Sequence, residues 1–186
     1  MILALKVGFW ILLIGLPALL LAYLYTGSRY ALSTMGTADV FVLTYFGVIP
    51  VWATVYILSG VNSADAVLVG LQLGFFANAL LLINNLRDVE EDSEHNKKTL
   101  VVRFGRRFGI SFLAVCLISP YMISFFLDPI FFRVRLWTTP IVLLSLVILF
   151  KVASNKPSQR YNKYLGFTAL SLLFFTLFST VGILSS

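Results

Sequence analysis

The sequence predicts an all-α fold embedded in a membrane, an integral bundle of about six transmembrane helices. Three observations carry that prediction. First, 59% of the 186 residues are hydrophobic and only 12% are charged. A soluble domain would carry about twice that charged fraction. Second, the mean hydropathy is +0.93. Third, the apolar residues fall into runs of roughly 20, the length that crosses the hydrocarbon core as a helix. The runs do not alternate with period two, so barrel strands are excluded in favour of helices, whose backbone polar groups are paired internally.

Six apolar segments follow one another. The first runs from about Leu3 to Tyr25. Its leader holds no basic residue beyond Lys6, and no small-residue cleavage site precedes Tyr25-Thr26-Gly27, so it reads as a retained span. The second covers about Val40–Ser59 and the third about Ala66–Leu86. The fourth covers about Ile110–Leu127. The fifth, about Leu136–Val152, is short and has room to begin nearer Phe131. The sixth covers about Tyr164–Leu184. Gly70 and Gly74 form a small-xxx-small pair on the third segment, a spacing that permits close helix approach. Pro17, Pro120 and Pro140 fall within or at the ends of segments, where neighbouring helices can re-satisfy the backbone. No linker or repeat divides the chain, so residues 1–186 read as one transmembrane domain with a charged motif loop at 87–108.

Basic residues orient the bundle. Six spans place Arg29, Arg87, Lys97, Lys98, Arg103, Arg106, Arg107, Lys151, Lys156, Arg160 and Lys163 on one side, and Lys6, Arg133 and Arg135 on the other. Eleven against three puts the motif loop in the cytoplasm and the N-terminus outside. The net charge of +6 is explained by this topology and by anionic ligands, so no nucleic-acid partner is expected. Cys116, the single cysteine, lies in an apolar run and reads as a small core residue. His95, the single histidine, has no second His or Cys near it in sequence, which argues against zinc.

Chemistry concentrates at one place. Residues 84–107 read NNLRDVEEDSEHNKKTLVVRFGRR, and five of the eight acidic residues lie between Asp88 and Glu94. Asn84, Asp88 and Asp92 are spaced four and four, so a helix continuing past Leu86 would put them on one face. Two carboxylates so placed repel each other unless a cation sits between them. Hard oxygen donors together with a ligand phosphate are the set that Mg²⁺ prefers. Lys97, Lys98 and Arg103 follow, suited to phosphate as point charges and as a planar fork. A solvated loop of paired charges would look similar. Glu90, Glu91 and Glu94 fit that plainer reading, and Arg106 and Arg107 fit anchoring of the fourth segment at the interface.

These residues carry a resemblance. Asn84-Asn85-Leu86-Arg87-Asp88, then Asp92, then Lys97-Lys98-Thr99-Leu100-Val101-Val102-Arg103-Phe104-Gly105, resembles the second aspartate-rich motif of the UbiA prenyltransferase superfamily. The closest form is that of the superfamily's naphthoate-prenylating, menaquinone-pathway branch. Gly36–Val42 through Phe46-Gly47 is similar to the helix before that motif, and Tyr161–Leu165 with Thr168-Ala169 to the last helix. The resemblance implies that Asp88 and Asp92 bind Mg²⁺, while Asn84, Arg87, Lys97, Lys98 and Arg103 hold diphosphate or orient the carboxylates. It implies transfer of a polyprenyl group from polyprenyl diphosphate to 1,4-dihydroxy-2-naphthoate, in a bacterial inner membrane. Another aromatic acceptor, or a non-catalytic diphosphate binder, stays open. Tyr45, Trp52, Tyr56 and Phe75 are aromatic candidates for shielding an allylic cation. One departure stands out: the family's first motif, of form NDxxDxxxD, does not occur in these residues. The six segments therefore resemble the last six of a nine-helix fold, and a separate chain or segment carrying the first motif is the expected partner.

Overall fold

The structure is a computed structural model that describes residues 5, 8–26, 36–127 and 132–184. Among the described residues there is no strand. All six apolar segments appear as helices. They are α1 (Trp10–Thr26); a second helix made of α2 (Ala38–Leu43), a π turn (Thr44–Val48) and α3 (Ile49–Ser59); α4 (Ala64–Arg87); α6 (Leu100–Ile123); α7 (Phe132–Ser154); and α8 (Tyr161–Leu184). A short helix, α5 (Val89–Glu94), lies between α4 and α6. Among the described residues, four helices are long and apolar enough to cross a membrane: Ala38–Ser59, Ala64–Arg87, Arg135–Ser154 and Tyr161–Val181. Of the other two, α1 has 17 residues, and α6 opens with three arginines. The first segment's predicted start, Arg29 and Asp128 lie outside the described residues.

Several boundaries differ from the sequence reading, the start of the fourth segment most. The fifth segment begins at Phe132, close to the earlier start near Phe131 that the sequence allowed. The fourth begins at Leu100, ten residues before Ile110, because Thr99 caps it by accepting the Val102 N–H at 3.3 Å. The charged stretch therefore reads as loop by composition yet folds as the first turns of a helix. That helix is broken at Gly105, where φ is 83° and ψ 169°. Such a backbone is essentially reserved for glycine.

α4 is the central element. It packs against the α2–π–α3 helix, α6 and α8. Phe76, Ala79, Leu82, Ile83 and Leu86 of α4 are fully buried against Leu113, Cys116 and Leu117 of α6, Ile148 and Val152 of α7, and Tyr161 and Phe175 of α8. Cys116 is thus the small core residue expected. The outer faces carry exposed Leu143, Phe150, Leu173 and Leu177. Lipid tails are as apolar as these side chains, so close packing rather than apolar burial must hold the helices together.

Glycine supplies that packing on one face of α4. A Cβ on Gly47 would lie 2.5 Å from both the Gly70 carbonyl oxygen and the Gly74 Cα. One on Gly70 would meet Val48 Cα at 2.7 Å, and one on Gly74 the Leu43 carbonyl oxygen at 2.7 Å. The Gly70/Gly74 pair does what its spacing suggested, with Gly47 of the π turn as the third member. The π turn precedes Pro50, which has no N–H for the helical ladder, so the ladder is already irregular there.

A second clamp holds α7 to α6. Arg106 Nη2 donates to the carbonyl oxygens of Val152 at 2.8 Å and Asn155 at 2.7 Å. These are orphan acceptors at the end of α7. Tyr161, fully buried, donates to the same region. Arg106 is therefore more than an interface anchor. Arg106→Ala is expected to lower stability by about 1.5–3 kcal/mol, the worth of hydrogen bonds from a charged donor, with Tyr161 still reaching the same acceptors. Arg106→Lys should restore only part of it, since an ammonium lacks the planar fork. Unfolding of the purified chain in mixed detergent micelles would measure both; a midpoint unchanged in the alanine variant would refute the clamp.

Candidate functional site

The acidic motif forms where α4 ends. The Asp88 N–H donates to the Asn84 carbonyl oxygen at 3.0 Å, and the Asp92 N–H to that of Asp88 at 2.8 Å. The four-and-four spacing is thus realised in the backbone. The helix is not straight through it, however. Asp88 leaves helical geometry at φ −98°, ψ 13°, and α5 restarts at Val89. Asp92 ends up 3% exposed, while Asp88 stays partly open.

Each carboxylate has its own cation. Arg87 is the hub of the first group: its Nε and Nη2 fork onto both Asp88 oxygens at 2.6 Å. Nη2 also donates to Asn84 Oδ1 at 2.8 Å, and Nη1 to Asn162 Oδ1 at 2.6 Å. Asn84, Arg87 and Asp88 are therefore one network, tied to the start of α8. In the second group Lys97 Nζ sits 2.6 Å from Asp92 Oδ1. That hydrogen bond raises the Lys97 ammonium above the ordinary lysine range, with burial opposing and the charges of Asp92, Glu91 and Asp88 adding. Glu90, Glu91 and Glu94 are exposed, as the plainer reading had them.

Lys98 and Arg103 sit at the edge. Both are exposed. A Cβ on Gly36 would lie 2.8 Å from the Lys98 carbonyl oxygen and 3.7 Å from Arg103 Cζ. The basic turn therefore lies over the entrance to α2. Gly36 has φ of +72° there, so both space and backbone favour glycine.

Sequence reasoning missed Asn162, although the stretch that contains it stood out. It also assigned no role to two buried polar groups deeper in. Asp39, one turn inside Gly36, is 3% exposed and Asn78 is 1% exposed, and each has a side-chain oxygen without a hydrogen-bond partner. The Leu43–Gly74 contact, continued one turn, brings α2 at Asp39 alongside α4 at Asn78. Of the aromatic candidates, Trp52 and Tyr56 stack on each other at 5.7 Å and meet Trp10 edge-on, about 20 Å along the helix from the motif end. Phe75 packs on the core. Tyr45, stacked on Phe41 at 4.9 Å, is the candidate on the motif half.

The donor set is hard and anionic, but incomplete as a cage. Among the described residues no three His, Cys, Asp or Glu side chains group closely enough to hold a metal ion. Asp88 and Asp92 can supply oxygen ligands to a metal shared with a phosphate, and cannot enclose one alone.

The chain is 31% identical over 171 residues to a 1,4-dihydroxy-2-naphthoate octaprenyltransferase of Haemophilus influenzae, covering 89% of this chain and 55% of that protein. It is 33% identical over 131 residues to the Escherichia coli protein of the same name, covering 70% of this chain and 42% of that one. It is 29% identical over 163 residues to UbiA prenyltransferase domain-containing protein 1 of Gallus gallus, covering 88% and 47% respectively. The chain thus spans about half the length of the curated relatives it matches. No solved structure gives a significant match. The model of the UbiA prenyltransferase family matches residues 1–178, nearly the whole chain, and the chain belongs to that family.

Proposed function

We infer that this chain provides the second diphosphate-binding half of an enzyme that transfers a polyprenyl group from polyprenyl diphosphate to 1,4-dihydroxy-2-naphthoate, giving demethylmenaquinone. The observation that carries the reading is the pairing of Asp88 with Arg87 and of Asp92 with Lys97 at one helix end. Asp88 and Asp92 would hold Mg²⁺, which when bound supplies positive charge against the diphosphate oxygens. Once the carboxylates have another counter-charge, Arg87 and Lys97 are free to bind phosphate oxygens. Asn84 and Asn162 hold the Arg87 fork in plane, and Lys98 and Arg103 add positive field at the rim. Negative charge building on the departing diphosphate is thereby stabilised where it forms. The facing carboxylates come from an NDxxDxxxD segment, in the same polypeptide or in a second chain. The motif lies on the cytoplasmic face of a bacterial inner membrane.

The test is an acceptor competition. The chain, supplied with an NDxxDxxxD-bearing N-terminal segment, is given one polyprenyl diphosphate and either 1,4-dihydroxy-2-naphthoate or 4-hydroxybenzoate. Product is expected from the naphthoate alone, lost on chelation and restored by Mg²⁺. Prenylation of the benzoate instead would move the assignment to another aromatic branch. That no three-ligand group forms among the described residues favours one rival, a non-catalytic diphosphate binder. Mg²⁺-dependent diphosphate binding without turnover of any acceptor would establish that rival.

A further inference from the structure

A separate groove lies between α7 and α8, with a volume of about 380 Å³. Its two walls have the same spacing: Leu144, Val147 and Lys151 rise along α7, and Arg160, just ahead of α8, is followed by Lys163 and Phe167 on it. The floor is apolar and the mouth holds three cations. No Asp or Glu occurs after Asp128, so neither wall carries a compensating acid. Among the described residues the two ion pairs join Arg87 to Asp88 and Lys97 to Asp92, and none of the three groove cations takes part. The mouth is level with the motif, because Asn162, the neighbour of Lys163, accepts a hydrogen bond from Arg87. Val147 and Phe167 are about half exposed, so the apolar part opens sideways to the lipid.

We propose that this groove is a binding site for an anionic phospholipid, its phosphate on Lys151, Arg160 and Lys163 and an acyl chain along Leu144, Val147 and Phe167. The charge pattern selects that occupant. A zwitterionic headgroup brings a cation toward three others, and a free phosphate makes no use of the apolar floor. Polyprenyl diphosphate would leave its metal-binding carboxylates elsewhere, since neither Asp88 nor Asp92 lines the groove.

Native mass spectrometry of the purified chain, released from micelles containing equal phosphatidylglycerol and phosphatidylcholine, tests this. Phosphatidylglycerol is expected to be retained roughly tenfold or more over phosphatidylcholine, with the preference collapsing at high salt. The triple variant Lys151→Gln, Arg160→Gln, Lys163→Gln should lose the preference while keeping its helical circular dichroism. Val147→Trp, which fills the groove at a lipid-exposed position and leaves every charge in place, should lose bound phosphatidylglycerol too. If the triple variant does not fold, Lys163→Gln and Val147→Trp decide. Equal retention of the two lipids, or a preference that survives these substitutions, overturns the proposal. So does stoichiometric displacement of phosphatidylglycerol by farnesyl diphosphate, which would make the groove a substrate portal.

Discussion

Asp88→Asn is expected to lower prenyl transfer by at least roughly 10²-fold, the scale on which removing one charge-stabilising group acts. Membrane insertion and unfolding midpoint should stay near those of the parent. The reasoning turns on exposure. The Asp88 side chain is 24% exposed, and its partner Arg87 keeps Asn84 and Asn162 when the carboxylate is neutralised. The substitution therefore removes the charge proposed to hold the metal and strands no buried cation. Asp92 makes a poorer test, because its side chain is only 5% exposed and pairs with Lys97. Its loss costs packing and stability together. The measurement is turnover of the chain with its N-terminal complement, beside insertion and unfolding of the same preparation. Full turnover in Asp88→Asn would end the assignment of this carboxylate.

The largest structural effect is expected from Gly47→Ala. One added methyl would meet the Gly70 carbonyl oxygen and the Gly74 Cα, each at 2.5 Å, and both are backbone. No rotamer change can relieve that contact, so two helices must separate. Overpacking of this kind costs about 1–3 kcal/mol. It should also reach the site, because the displaced helix begins beside Gly36, which lies under Lys98 and Arg103. The variant is expected to unfold at lower denaturant and to bind diphosphate more weakly. Gly166→Ala, where a Cβ meets nothing within 4 Å, is the control and should lower neither. Equal behaviour of the two variants would show that glycine contact is not what joins these helices.

Much of this was legible in local sequence. Run length and hydropathy gave six helices, because a chain in lipid has few other ways to satisfy its backbone. The spacing of Asn84, Asp88 and Asp92 was legible because it repeats at the helical period. The parts that were not legible depend on residues far apart. Arg87 meets Asn162 across 75 positions, and Arg106 meets Val152 across 46. Neither pairing leaves a periodic trace. Gly47 likewise looks ordinary until α4 lies against it. The start of α6 was misplaced for a different reason: three arginines within ten residues read as loop, while a single threonine hydroxyl was enough to begin a helix.

Gly105 bears on how the motif's arginines are divided. An L-alanine there would find open space, since a Cβ meets nothing within 4 Å. What excludes it is handedness: φ of +83° and ψ of 169° are the mirror image of an ordinary extended residue. On an unbroken helix Arg103 and Arg106, three positions apart, would share one face. The single inverted residue between them sends Arg103 toward the entrance of α2 and Arg106 to the end of α7. One achiral position thus lets a compact basic sequence serve two tasks, one at the ligand rim and one in the scaffold.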